Sequence, residues 1–163
     1  MSTADPVTRE VAWLRSSGDG LPALLKSAGG PWDAVQGYWP RTPEQRLSAI
    51  YVLRPALVDA RWANQRKLTT YDFRLKLLWP VGSTTTAAQL WETEQQNLDI
   101  AVDLLITRIR GQLGDHTHGG RFLSVAEAPE HARITAHFED PERVTATMLR
   151  AEMSYAADDQ SVI

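Results

Sequence analysis

Large apolar side chains alternate with mostly charged ones over residues 71–79, near the middle of the chain. The apolar positions are Tyr71, Phe73, Leu75, Leu77 and Trp79. A period of two predicts a β-strand that turns one face to a core and the other to solvent or to a partner. Pro80 ends the pattern, because proline has no N–H group to give to a strand ladder.

After a polar turn the apolar positions recur at helical spacing, which predicts one long helix over about 86–111. Thr86 and Gln89 have the spacing of a capping box, and Arg108 and Arg110 fall in the last turn, where the helix dipole favours cations. We expect the apolar face of this helix to lie across the sheet. That face comprises Leu90, Trp91, Leu98, Ala101, Leu105 and Ile109.

A second alternating segment precedes the central strand, and we interpret 48–80 as one long antiparallel hairpin with its tip near 64–67. Pro55 predicts an edge strand or a bulge at that point, because proline has no N–H group to donate to a neighbouring strand. Both strands exceed the usual length, so we expect the tip to project from the body.

The remaining predicted elements are shorter. A helix is predicted from Pro6, a second short helix over 20–28, and an irregular loop over 32–43 whose aromatic side chains should pack on the core rather than on a ligand. The further predicted strands are 122–126, 133–138 and 144–156. The two ends, 1–6 and 157–163, are expected to be flexible.

These patterns predict one α+β domain over 1–163, with a mostly antiparallel sheet, a long hairpin, one long helix packed across the sheet and an N-terminal helix. The chain has no apolar run of bilayer or signal-peptide type, so we expect no membrane partner. The lack of cysteine excludes disulfides and thiolate metal sites. A net charge of −3 argues against a general nucleic-acid coat. Six tryptophans indicate either a well-filled core or aromatic anchors at a subunit interface.

Candidate catalytic chemistry is sparse. The loop containing Asp115, His116 and His118 has a spacing that can ligate zinc, but it is rich in glycine and lacks an evident further ligand. Glu127 and Glu130 could be set beside the acidic turn over 139–142 as an acid–base pair, although carboxylates in turns are ordinarily just solvated. No phosphate-binding loop or nucleophile elbow is present. We therefore expect no enzyme, and no catalytic, cofactor or metal residues.

The hairpin is basic although the chain as a whole is acidic. Its basic residues are Arg54, Arg61, Arg66, Lys67, Arg74 and Lys76, and its acidic residues are Asp59 and Asp72. We predict that Arg61, Arg66, Lys67, Arg74 and Lys76 lie at a subunit interface or line a channel, with Glu139, Asp140 and Glu142 as acidic counterparts on a neighbouring chain. The alternative is a solvated charged face that prevents edge-to-edge aggregation.

The order of elements resembles that of the tail terminator, or tail-completion, proteins of long-tailed bacteriophages. Three stretches carry the resemblance: the strand 71–80 with the polar turn and long helix that follow, the segment 119–123, and the closing strand 147–155. The resemblance covers nearly the whole chain from Val7 to Asp159, although the segment 20–45 has no counterpart in the family pattern.

This resemblance implies a structural subunit that closes into a six-membered ring, caps the finished tail tube, ends its polymerisation and provides the surface that joins the head. It implies a tail tube protein and a head-side connector protein as partners, with non-specific contact to passing DNA. It places the protein at the head-proximal end of the virion tail, and in the bacterial host cytoplasm during assembly. The alternatives are a head-side connector subunit of the neck, a small ligand-binding domain, or a metal-dependent enzyme.

Metal content gives a first test. We expect no stoichiometric zinc in protein purified without chelator, because the segment 115–118 offers few fixed ligands. Elemental analysis checks this, and one tightly bound ion per chain would contradict it.

Overall fold

The structure is a computed structural model that describes residues 5–18, 20–43, 47–63, 66–81, 87–111, 116–127, 132–140 and 148–162. It is an α+β fold with a curled, mostly antiparallel sheet and two helices. The helices are α1 (Pro6–Arg15) and α2 (Ala87–Arg110), and a short 3₁₀ turn lies at Lys26–Ala28. The strands are β1 (Ala34–Gly37), β2 (Ala49–Ala63), β3 (Arg66–Pro80), β4 (Ser124–Val125), β5 (Thr135–Phe138) and β6 (Met148–Val162).

The long hairpin predicted over 48–80 is confirmed as the β2–β3 pair, which is antiparallel along its length. The strand order is β1-β2-β3-β6-β4, with β5 also beside β6. Only β1 runs parallel to its neighbour, β2, among these pairs. The register of β2 against β3 shifts between Leu53 and Ala56, so Pro55 lies at an irregularity, as predicted.

One face of the sheet forms the core, and the predicted face of β3 is the buried one. Phe73, Leu75 and Leu77 are fully buried, and Trp79 is nearly so. They pack with the matching face of β6 and with the apolar side of α2 in one cluster. The α2 members of this cluster are Leu98, Ala101, Val102, Leu105 and Ile109. We call this helix-covered side of the sheet the inner face and the opposite side the outer face.

Helix α1 begins at Pro6 because its first turn is capped. The Asp5 carboxylate accepts hydrogen bonds from the Thr8 N–H at 2.9 Å and from the Thr8 hydroxyl at 2.7 Å. Proline suits the first helical position, where its missing N–H costs nothing. These bonds, led by that of the Thr8 hydroxyl, lower the pKa of Asp5 to about 2. Asp5 and Pro6 are therefore ordered, in contrast to the predicted flexible segment 1–6, of which residues 1–4 lie outside the described ranges.

Two predicted elements are wrong in type. The segment 20–28 is helical only in the 3₁₀ turn at its end, and the predicted loop 32–43 contains β1. The cause is a non-local pairing: Ser48 and Asp33 exchange hydrogen bonds through backbone and side chain, which places Ala34 beside Ala49 in the sheet. No local sequence pattern predicts a four-residue strand of this kind.

The last strand also differs from its prediction. Residues 157–162, expected to be flexible, continue β6 and pair with the 66–71 end of β3. The side chains of Asp158 and Asp159 are bound: Thr70 donates to Asp158 at 2.6 Å, and Arg9 forms an ion pair with Asp159 at 3.0 Å. The strand is long because β3 offers it partners along the whole hairpin. Over the described ranges, no helix combines the length and apolar character needed to cross a membrane.

The buried face gives a stability test. Leu75→Ala should lower the free energy of unfolding by about 2–5 kcal/mol, because it truncates a fully buried side chain in the middle of the core. Leu57→Ala, in the neighbouring strand, is the matched control because Leu57 is 46% exposed. Denaturant melts measure both, and a loss for Leu75→Ala below about 0.5 kcal/mol, the range of surface changes, would contradict the assignment of the inner face.

Candidate functional site

The far half of the hairpin has an open edge. Strand β1 pairs with β2 only over 49–52, so residues 54–63 have no strand on their outer side within the described part of the chain. We call 54–63 of β2 with 66–72 of β3 the hairpin arm. Every β2 residue from 54 to 60 is exposed, including Leu57 at 46% and Val58 at 63%. An exposed apolar strand edge is a template for pairing with another chain.

The predicted basic residues near the base of the arm are paired within the chain. Arg74 and Lys76 both lie on the outer face and contact the same Glu152 carboxylate oxygen, at 3.1 Å and 2.9 Å. The Lys76 hydrogen bond is the main reason that the pKa of Glu152 is below its ordinary value. These two cations are therefore only in part available to a partner.

Nearer the tip, Lys67 lies 3.6 Å from the Asp59 carboxylate, which also accepts a hydrogen bond from Thr69 at 2.7 Å. Arg61 and Arg66 lie in strands of the arm, and their side chains fall outside the described structure. The arm thus exposes the β2 edge with its apolar residues, and part of its charge is balanced internally.

The outer face carries a groove of about 530 Å³ beside the base of the arm. Trp39 stands at one side and the end of β5 at the other, and the floor is the outer face of β2, β3 and β6. Trp39 is 45% exposed and packs edge-on against Tyr51, with ring centroids 5.2 Å apart. The lining residues are Trp39, Leu53, Lys76, Leu77, Leu78, His137, Phe138, Glu139, Arg150, Ala151 and Glu152. We call this the outer groove.

Two of the three predicted acidic counterparts, Glu139 and Asp140, lie within the described residues. Glu139 lines the outer groove, where its N–H donates to the Arg150 carbonyl at 3.0 Å, and Asp140 follows it as an exposed residue. Glu142 lies outside the described residues. The structure thus places Lys76 and Glu139 of one chain at the same groove, whereas Lys67 lies at the far end of the arm.

The aromatic residues predicted to pack on the core divide into two groups. Trp32 is fully buried and meets Trp79 edge-on at 5.2 Å. Tyr38 and Trp39 are about half exposed, so for them the prediction is wrong. They follow β1, which ends at Gly37. Trp39 lies beside the outer face against Tyr51, whereas the Tyr38 hydroxyl donates to Asp5 at the start of α1. Sequence reasoning missed Trp39 as a surface residue because the strand that presents it had no local signature.

A buried polar network occupies the inner side. The Tyr155 hydroxyl donates to one oxygen of Glu10 at 2.8 Å, and the other oxygen lies 2.9 Å from Nδ1 of His118. Nε2 of His118 donates to the Ile109 carbonyl at 2.7 Å, and the ring stacks on Trp13 at 3.5 Å. These three polar side chains are at most 4% exposed, so the network lies within the core and connects α1 to β6.

This network bears on the metal hypothesis. Both ring nitrogens of His118 are engaged, so the ring is not free to ligate an ion. His116 lies 3.4 Å from Glu127 at the surface, and Asp115 and Glu130 lie outside the described ranges. In the part of the chain that the structure describes, no group of three or more potential ligands lies together.

Comparison with known proteins does not assign a family: no protein-family model matches the chain, and no curated protein matches it. The open arm and the outer groove have the character of contact surfaces, because exposed apolar side chains such as Val58, Trp39 and Phe138 lie on them beside the paired charges of Lys76 and Glu152.

The buried network gives a stability test. Tyr155→Phe should lower the free energy of unfolding by about 1–3 kcal/mol, because it leaves one buried oxygen of Glu10 without its donor. Tyr38→Phe is the matched control, since the Tyr38 hydroxyl also donates to a carboxylate, that of Asp5, but on a side chain that is 55% exposed. Equal losses in the two variants would contradict a special role for the buried network.

The same pair has a pH signature. Burial and then the neighbouring Glu10 raise the pKa of Tyr155 well above 10. In the unfolded chain the phenol ionises near pH 10, so its stabilising contribution is complete below that pH and is lost as pH rises above it. The stability difference between wild type and Tyr155→Phe should therefore shrink above about pH 10.

Proposed function

We propose that this chain is a structural ring subunit of the tail terminator kind, which caps the tail tube of a long-tailed phage, ends its polymerisation and provides the surface that meets the head. The observation that carries the proposal is the hairpin arm, where exposed apolar residues lie on an open strand edge. Such an edge is a liability in a free monomer and is useful where another subunit covers it.

The fold supports this assignment by separating its two faces. The inner face is covered by α1 and α2 and forms the main core. On the described part of the outer face a small cluster that includes Tyr51 and Leu78 is buried, while the groove and the β2 edge of the arm are exposed. In this proposal α2 is the single long helix that lies across the sheet and holds it rigid. A stiff sheet with a projecting arm can present different surfaces to two neighbours, as a ring requires.

The mechanism is geometric, and no bond is made or broken. In a closed ring each subunit joins its neighbour through two different patches, so the ring leaves no open end in its own plane. The axial surface that would add another tube layer is occupied by the terminator. The tail tube protein and a head-side connector protein are the partners on the two sides, at the head-proximal end of the virion tail.

We consider two roles for the basic residues of the arm. It meets the acidic residues Glu139 and Asp140 of the next chain, or it lines the channel and offers a weak, sequence-independent track for DNA. Arg74 and Lys76 are already paired with Glu152 within the chain. Substitutions at the tip residues Arg66 and Lys67 are therefore the ones that can distinguish the two roles.

The native mass tests the proposal directly. Light scattering on purified protein should give about 109 kDa, six times the 18.2 kDa chain. A mass that stays at one chain over the micromolar range would contradict the ring.

Charge reversal then separates the two roles of the arm. Arg66→Glu with Lys67→Glu should reduce the ring fraction if the tip meets a neighbour, and should leave the ring intact while impairing infectivity if the tip faces DNA. Arg66→Lys with Lys67→Arg is the control, because it exchanges the side chains and keeps the charge. Normal assembly and full infectivity of the reversed variant would show that these charges only solvate the arm.

A further inference from the structure

We propose that the hairpin arm of one subunit seats its open β2 edge in the outer groove of the next subunit. This inference rests on the proposed ring and goes further, since it names both halves of the contact. Val58 and Leu57 are the apolar anchors of the arm, and Trp39 and Leu53 are the apolar residues that receive them.

The arm has apolar side chains exposed on both faces of β2. Leu57 pairs with Tyr71 and Val58 with Thr70, so these consecutive residues project from opposite faces of the strand. Both are about half exposed or more, and the strand edge between them is open. A flat surface would cover only one of the two faces, whereas a groove can cover the edge and both of its flanks.

The outer groove offers such a surface. It encloses about 530 Å³ and combines apolar residues at its sides with the paired charges of Lys76 and Glu152 on its floor. Half-exposed Trp39, held edge-on by Tyr51, is a preplaced aromatic anchor of the kind that is enriched in protein interfaces. Phe138, 48% exposed, adds apolar surface at the far side of the groove.

Charge favours a second copy of this chain as the occupant. The tip of the arm carries Arg66 and Lys67, and the groove ends at Glu139, followed by Asp140. With the apolar edge seated in the groove, the basic tip extends beyond it towards these acidic residues. The same arrangement gives the arm an electrostatic orientation in addition to its apolar contact.

The arm cannot fill the groove of its own chain. Val58 lies in the row of Thr70, and His137 lies in the row of Lys76 through Glu152. Six residues of β3 separate these rows, which is about 20 Å at the usual rise of a strand. A contact between the arm and the groove is therefore a contact between two chains, and its two patches are different, as a closing ring needs.

Disulfide trapping tests this contact cleanly, because the natural chain has no cysteine. Val58→Cys with His137→Cys places one thiol on the arm and one in the groove. Within one chain these positions are far beyond the roughly 7 Å between Cα atoms that a disulfide allows, so any bond joins two chains. Under mild oxidation we expect a ladder of covalent multimers that ends at the ring size on a non-reducing gel.

The control is Val58→Cys with Thr107→Cys, whose second thiol lies at an exposed site on α2, across the sheet from the groove. It should remain mostly as single chains. Each variant replaces exposed residues, and a circular dichroism spectrum matching wild type confirms its fold.

The outcomes separate this inference from the proposed function. If the wild type forms a ring but Val58→Cys with His137→Cys cross-links no more than the control, the arm–groove contact is overturned and the ring stands. Cross-linking that stops at covalent dimers would mean mutual exchange of arms, which also overturns the head-to-tail order. A wild type that stays monomeric would overturn the ring itself.

Discussion

The fold depends on one buried polar contact, that of Glu10 with His118 and Tyr155. It joins α1, the loop after α2 and the strand β6, and Trp13 stacks on the imidazole ring. Breaking it would leave a buried carboxyl or imidazole unpaired, which costs far more than an exposed pair. Arg108 adds a second connection between the helices, since its guanidinium donates to the Trp13 and Ser16 carbonyls at 2.8 Å and so caps the end of α1.

These contacts hold both helices on the inner face, and among the described residues only a small cluster that includes Tyr51 and Leu78 is buried on the outer face. The arm and the outer groove are consequences of this one-sided architecture: the inner face is filled, and the other face keeps half-exposed residues such as Val58 and Trp39. An apolar edge on one part of a chain and an apolar groove on another are what a head-to-tail assembly uses. The proposed ring role would use these exposed parts of the sheet as contact surfaces.

Much of the scaffold could be predicted from local pattern. The alternation over 71–79 identified β3 and its buried face, and Pro55 located the irregularity in β2. The candidate site was predictable only in part. The basic residues were noticed, but the pairing of Arg74 and Lys76 with Glu152 was not, because Glu152 lies in a strand far along the chain. The groove was missed, since β1 and the exposed Trp39 have no local signature.

Local sequence was enough for the hairpin, for the inward face of its central strand and for the presence of two helices, because these depend on neighbours within a few residues. Only the tertiary structure decided the parallel strand β1, the extension of β6 to Val162 and the burial of His118. The physical reason is distance along the chain: the Glu10 partners are 108 and 145 residues away, and such pairings arise when the core forms and leave no periodic trace.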